Sequence, residues 1–449
     1  MAGGRIIVVG SGAAGVWTAL VARRAGASVA VLRQAPGASA VSSGCIDLGC
    51  GTDAVGQALS PHMAAAALAR RHKTHPYAAL GASLPGVIER ARTFLIETHA
   101  PLALRASSDR NLLLATPLGT LKETWLAQGS LARGDLRSWP ASDVIGVVDL
   151  PNRTAFDARA VAAGLSECGH RAVPIIVAFD VHPFASTAEL AKLLDQPASS
   201  DPFVAAVLAA AKAAGVRHVL LPTAGSLNPN ALLNRLVGAG LAEAAEIVGV
   251  PPSVPGLRLE RDLEAKLTAA GIEVILGVAH EAVRSGGRVE RLKLEDGREL
   301  AGDAFVLATG RFIGGGIRHE GTFRETVFGL PVFVNGQDVA DKWLGDLLDR
   351  NAAATQSALK AGVSVDASMR PIDDRGHVVL ENVFAAGSVI GGYDPAKDGS
   401  GLGVAALTAL VAGEAAAAAA SEHADDSETT AQGNARPASQ RAPAEDPRT

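Results

Sequence analysis

Three clusters of glycine carry the chemistry legible in this chain. Gly10-x-Gly12-x-x-Gly15 follows an apolar run at residues 6–9 and precedes an apolar-periodic segment at 16–25. In that strand, turn and helix order, Gly10 supplies the turn, Gly12 lets the main chain approach a pyrophosphate, and Gly15 lets the helix lie close on the strand. The helix N-terminus, reached through Ala13 and Ala14, then offers N–H groups and a positive dipole end to the anion. Thr309-Gly310 closes a buried apolar run at 304–308, and Gly387-Ser388 follows another at 382–386. Gly401-Leu402-Gly403 opens a last helix, expected to end near Gly413. A flavin needs its phosphate neutralised, its ribityl chain anchored, and a dipole or donor beside the ring edge that gains charge on reduction. At the C-terminal ends of strands in one open parallel sheet, these clusters suit one such site.

The elements that must position them read as α/β. Residues 28–32 form the second parallel strand, and the loop after it, with Ser42-Ser43-Gly44, is placed to touch the same cofactor. Strands at 144–148, 173–178 and 216–221 and helices at 157–167 and 230–241 make a second α/β stretch. A helix at 258–270, a strand at 273–276, turns at 285–288 and 295–298 and the strand at 304–308 follow. The expected architecture is a Rossmann-like, two-part flavoprotein fold with a parallel sheet and an inserted second α/β domain. Residues 1–60 and 251–420 form the flavin-binding parts, 61–250 an interleaved partner or substrate-covering domain, and 421–449 a disordered tail.

Composition narrows the class. The 449 residues carry a net charge of −5, which argues against a general nucleic-acid binder. Cys45, Cys50 and Cys168 are the three cysteines, without a Cys-x-x-Cys pair, so neither a disulfide framework, an iron–sulfur cluster nor another metal site is expected. The N-terminus enters a core strand too soon for an export signal, which points to the cytoplasm. The apolar stretches 203–215 and 404–420 are shorter than the roughly 20 residues of a spanning helix, so membrane association is expected only through a partner.

Gly10-x-Gly12-x-x-Gly15, Leu307-Ala308-Thr309-Gly310 and the segment 382–388 together resemble the fumarate reductase and succinate dehydrogenase flavoprotein superfamily. Within it, Ser42-Ser43-Gly44, His75-Pro76-Tyr77 and the segments 116–125, 251–259 and 387–395 are similar to the B subunits of anaerobic glycerol-3-phosphate dehydrogenases. The resemblance spans essentially the whole ordered chain. It implies a quinone-linked complex oxidising sn-glycerol 3-phosphate to dihydroxyacetone phosphate, with the A and B subunits as the catalytic pair. An iron–sulfur C subunit would link them to the inner face of the cell membrane. The resemblance implies FMN for the B subunit. Two departures from the FAD pattern agree: Arg33 stands where an acid normally holds the adenosine ribose, and Ser388 where an Asp bonds the ribityl chain. FAD is the alternative.

Oxidising a secondary alcohol needs a base, and a phosphorylated substrate needs cationic anchors. Lys122, Arg258, Arg311, Arg318 and Arg324 are the cations on offer, each also readable as a solvated surface charge. His75 and His319 are candidate bases or plain loop histidines. Cys45 and Cys50 read as small packing groups, and Asp394 as an orienting or capping residue of its turn. With no concentrated catalytic constellation, two alternatives stay open: a non-catalytic electron-transfer or scaffolding subunit, and an independent fumarate reductase-like FAD dehydrogenase.

Overall fold

The computed structural model describes residues 4–53, 57–107, 109–151 and 156–433, the last ten by backbone alone. Strand β1 (Arg5–Val9) leads into helix α1 (Ala13–Arg24), and the chain returns through β2 (Ser28–Arg33). Later come β3 (Ile145–Asp149), β4 (Ala172–Ile176), β5 (His218–Leu221) and β6 (Glu243–Glu246). Helix α2 (Val254–Ala269), β7 (Glu273–Leu276), β8 (Ala304–Leu307), β9 (Val383–Ala385) and helix α3 (Gly401–Gly433) complete the frame.

The first sheet is wholly parallel, in the order β7-β2-β1-β8-β9. Its middle strand reads Ile6-Ile7-Val8-Val9, apolar on both faces because helices and further layers cover both. The chain moves from β1 to β2 on one side and later returns to β8 on the other, so the switch point lies between β1 and β8. Antiparallel strands Ala279–Ser285, Arg288–Leu294 and Glu299–Ala301 form a separate layer between β7 and β8 in sequence, with turns at the two places expected. The second sheet is also parallel, in the order β6-β5-β3-β4. β6 is absent from the sequence expectations: Glu-Ala-Ala-Glu is a poor strand former, and only its place beside β5 makes it one.

The packing divides residues 61–250 differently from the expected boundary. Helices Pro61–Arg71 and Leu84–Thr98 bury Leu68, Val87, Ile88 and Phe94 in the core of the first sheet, where Trp125 and Leu126 also lie, while Leu112, Leu114, Ala115 and buried apolar residues between Ala127 and Val248 build the smaller cores.

Helix α3 runs past both the expected end at Gly413 and the expected tail boundary at 421. Gly413 is a crossing point rather than a stop: a side chain there would meet Thr18 O and Val21 Cβ at 2.9 Å on α1. The Ala-rich stretch beyond it contains no proline to end a helix. Residues 434–449 of the expected tail lie outside the described residues. By length and composition Gly401–His423 is apolar enough to cross a membrane, yet 67% of that window is buried inside the protein, where it covers α1 and the sheet.

Candidate functional site

The three glycine clusters meet. Gly10 takes φ +113°, closed to other residues at little cost, and a side chain on it would overlap Ala308 O and crowd Thr309 N. Gly387, at φ +75°, brings the third cluster to the first: a Cβ there would stand 2.5 Å from Ala14 Cβ. The position of a Cβ on Gly310 is 3.6 Å from Ser388 Oγ, which joins the second cluster to the third. Thr408 Oγ1 of α3 accepts from Gly387 N at 2.9 Å and ties that turn to the helix. All of this lies at the C-terminal edge of the first sheet, at its switch point.

The first turn of α3 ends at the same place. Among the described residues, no protein acceptor takes the N–H of Gly401, Leu402 or Gly403, and Ser400 Oγ, fully buried just before them, has no partner. Tyr77 and Tyr393 are the two tyrosines of the chain; both are wholly buried with unpartnered hydroxyls, and both lie beside His75, with ring centroids 4.4 and 5.4 Å away. The position of a Cβ on Gly403 is 2.8 Å from Tyr77 Oη and would overlap Asp47 O. Thr309 Oγ1 and Asp47 Oδ1 are further buried atoms without partners. Orphaned donors around a helix N-terminus, beside a cradle too close for side chains, fit a flavin whose ring edge gains negative charge.

Several expected site residues have other partners. Arg33 pairs with Glu264 of α2 at 2.6 Å, and Ser39 Oγ donates to Glu260 Oε2 at 2.9 Å, with burial raising the Glu260 pKa. Two carboxylates therefore stand at the end of β2 after all, delivered by α2 from far along the chain. The site does not lack an acid there, so FMN gains nothing over FAD on that ground, and Arg33 is not open to a terminal phosphate.

Ser42 Oγ donates to Ser39 O at 2.7 Å and accepts from Gly44 N, and Ser43 Oγ accepts from Cys45 N. Gly44, at φ +72°, lets this turn fit against Pro255 and Gln128 at the start of α2. Burial pushes the Cys45 thiol up to about 12, so it stays a packing group.

The proposed bases and cations divide sharply. Arg258 is consumed in a buried pair with Glu246 and is not available to anchor a phosphate. His319 meets Phe323 edge-on, with ring centroids 4.6 Å apart, in the hairpin Ile317–His319 and Phe323–Glu325, on which Arg318 and Arg324 are exposed. Lys122 reaches the site only through Asp47, whose Oδ2 accepts from its Nζ at 2.7 Å; burial works against the ammonium, but Asp47 outweighs it and raises the pKa.

His75 caps the short helix Pro76–Leu80 through Nδ1, which accepts from Tyr77 N at 3.0 Å, so the neutral ring carries its proton on the unpartnered Nε2. Burial, with smaller repulsion from His72 and Lys360, lowers its pKa to about 3. His75 is therefore a hydrogen-bond donor at neutral pH and not a base. Arg311 is the cation that does lie in the site, buried and bonded to the loop after Gly387. The sequence signal that marks Tyr77 and Tyr393 is their scarcity, since both fall inside the family-like blocks.

Residues 5–404 match the FAD binding domain family. The chain belongs to that family. Its relatives with curated names are B subunits: it is 31% identical over 439 residues to the B subunit of the probable anaerobic glycerol-3-phosphate dehydrogenase of Halobacterium salinarum, covering 92% of this chain and 98% of that one. With the B subunit of the anaerobic glycerol-3-phosphate dehydrogenase of Yersinia enterocolitica it shares 28% over 420 residues, covering 91% and 97%. It is thus an FAD binding domain protein related over more than nine-tenths of its length to those B subunits. Among solved structures it is similar to the open conformation of a flavocytochrome c3 fumarate reductase, with a TM-score of 0.40 and 12% identity over 93% of this chain and 78% of that one. The likeness to 3-ketosteroid delta1-dehydrogenase from Sterolibacterium denitrificans has a TM-score of 0.40 at 12% identity over 93% and 99%. For a member of the FAD binding domain family, FMN has no support over FAD.

Proposed function

We propose that this chain is the flavin-carrying B subunit of a quinone-linked anaerobic glycerol-3-phosphate dehydrogenase. It would work with a second flavoprotein subunit to oxidise sn-glycerol 3-phosphate to dihydroxyacetone phosphate. Electrons would pass to an iron–sulfur subunit that holds the complex at the cytoplasmic face of the membrane. FAD is the cofactor of this reading. The observation that carries it is the meeting of the 10–15, 309–310 and 387–403 clusters at one sheet edge, in a chain whose B-subunit relatives match 91–92% of it.

When bound, the flavin supplies the hydride acceptor. The chain's own residues supply the rest. Gly12 and the N-terminus of α1 would receive the diphosphate, Thr309 and Ser388 would hold the ribityl chain, and the first turn of α3 would stabilise the charge gained on reduction. His75 Nε2 and the hydroxyls of Tyr77 and Tyr393, unpartnered among the described residues, would be the hydrogen-bond donors. Asp47 is the carboxylate beside α3; Lys122 holds Oδ2, leaving Oδ1 to take the substrate hydroxyl proton.

The test is to purify the chain, record its visible spectrum, release and identify the flavin, then add glycerol 3-phosphate under anaerobic conditions with and without the partner flavoprotein. A yellow protein releasing FAD and bleached by the substrate supports the proposal. A colourless folded protein sinks the cofactor claim. Bleaching only with the partner present moves the substrate site to that subunit and favours the relay alternative.

A further inference from the structure

We propose that Arg311 is the fixed positive charge that makes the site prefer the reduced, anionic flavin to the oxidised one, and so sets the reduction potential of the bound cofactor. This rests on the reading that the chain carries a flavin. It concerns the poise of that flavin and not the identity of the substrate.

Arg311 follows Gly310 directly and is 8% exposed. Its Nε donates to Ser388 O at 3.1 Å, Nη1 to Tyr393 O at 3.2 Å and Nη2 to Ile390 O at 3.0 Å, while its face lies 5.0 Å from the Tyr393 ring centre. Three neutral carbonyls satisfy hydrogen bonds but leave the net charge in place. Among the described residues no carboxylate forms an ion pair with it. Asp394, the acid whose field it feels, spends Oδ1 on the N–H groups of Ala396 and Lys397. Burial accordingly pulls the guanidinium pKa below its ordinary value. A buried cation offset only by Asp394, which forms no ion pair with it, is costly, and an anion bound nearby would relieve it.

The loop that Arg311 holds leads into α3, where the N–H groups of the first turn and the orphaned Ser400 Oγ add a second source of positive potential. Both sources act where the 309–310 and 387–403 clusters meet. Two electrons and one proton convert the neutral oxidised ring to a monoanion. Fixed positive charge stabilises that product and hardly affects the neutral reactant. Each tenfold gain in affinity for the reduced over the oxidised flavin raises a two-electron potential by about 30 mV.

Arg311→Gln keeps donors for the carbonyls but removes the charge; Arg311→Lys keeps the charge but loses the fork. In the flavin-loaded full chain, Arg311→Gln should weaken binding of the reduced flavin at least tenfold relative to the oxidised, lowering the potential by about 30 mV or more. Sulfite, which forms an anionic flavin adduct, should bind more weakly to the same degree. Arg311→Lys should stay near wild type in both. A measurement on the wild-type chain stands apart from any folding defect: its potential should fall by about 30 mV per pH unit from pH 6 to 8, two electrons with one proton. A slope near 60 mV, an unchanged potential in Arg311→Gln, or an equal loss in Arg311→Lys overturns the proposal while leaving the flavin reading intact. A colourless chain overturns both.

Discussion

Arg258 of α2 and Glu246 of β6 meet at 2.6 Å with side chains only 3% and 1% exposed, joining the core of the first sheet to the edge of the second. Burial alone would raise the Glu246 pKa; the guanidinium outweighs it and holds the carboxyl low. Arg258 also bonds Gly225 O, and Glu246 accepts from Ala224 N at 2.6 Å, so the pair is a strut with further bonds on both sides, although Arg258 Nε has no partner among the described residues. Arg258→Ala leaves a buried charge unpaired and should cost about 3–5 kcal/mol in denaturant melts. Arg258→Met with Glu246→Leu should recover most of that. If folded Arg258→Ala protein instead shows a raised KM with unchanged stability, Arg258 is a substrate anchor.

The Arg33–Glu264 pair lies near the surface, with side chains 21% and 50% exposed, and should be worth no more than about 1 kcal/mol. Arg33→Ala should therefore leave both the stability and the identity of the released flavin unchanged. A changed or lost flavin in this variant, detected by chromatography of the released cofactor, would restore a phosphate-facing role for Arg33.

Gly387→Ala places a side chain both in the left-handed region and 2.5 Å from Ala14 Cβ. The expected result is a loss of visible flavin absorbance and destabilisation of about 2 kcal/mol or more. Adding Ala14→Gly removes the clash but not the strain, so it should recover only part. Full flavin content in Gly387→Ala would show that the clusters do not meet as described.

His75 and Glu325 pull acid stability in opposite directions. The His75 pKa is lowered from 6.5 to about 3 by burial, so the unfolded chain binds the extra proton. Its stabilisation is whole above pH 6.5 and is lost as pH falls toward 3, by up to about 5 kcal/mol. The Glu325 pKa is raised to about 7 by burial, against three backbone N–H bonds, so the folded chain holds that proton. Its contribution is whole below pH 4.5 and fades as pH rises past 7. His75→Asn keeps a capping acceptor and should flatten the melting temperature below pH 6, whereas Glu325→Gln should flatten it between 5 and 8. An unchanged acid slope in His75→Asn would mean that the imidazole is not buried neutral.

What can be read from sequence is local. The β1 turn, Thr309-Gly310 and Gly387 each combine an apolar run with a glycine whose backbone angle is needed within a few residues, and all three fall where expected. The acids at the end of β2 cannot be read, because α2 brings them across the fold and the local position shows only Arg33. His75 is visible as a histidine but not as a donor; its tautomer depends on the Tyr77 N–H. Arg258 sits in a family-like block, and nothing in its neighbours foretells Glu246, which lies in a strand of poor strand formers. The length of α3 is hidden by Gly413, whose role is contact with α1 rather than termination.

The order of the strands also governs when the cradle can exist. β1 and α1 leave the ribosome before the rest of the cradle: β8, which forms the other wall of the switch point, ends at residue 307, and α3 begins only at 401. At about 5–20 residues per second, on the order of 20–80 seconds separate synthesis of the first glycine turn from synthesis of the helix end that completes the site. Until β8 is made, the nascent chain holds an apolar central strand with only β2 available beside it. Cofactor capture is therefore a late event in biogenesis, and the exposed β1 edge is the surface that a chaperone would have to shield meanwhile.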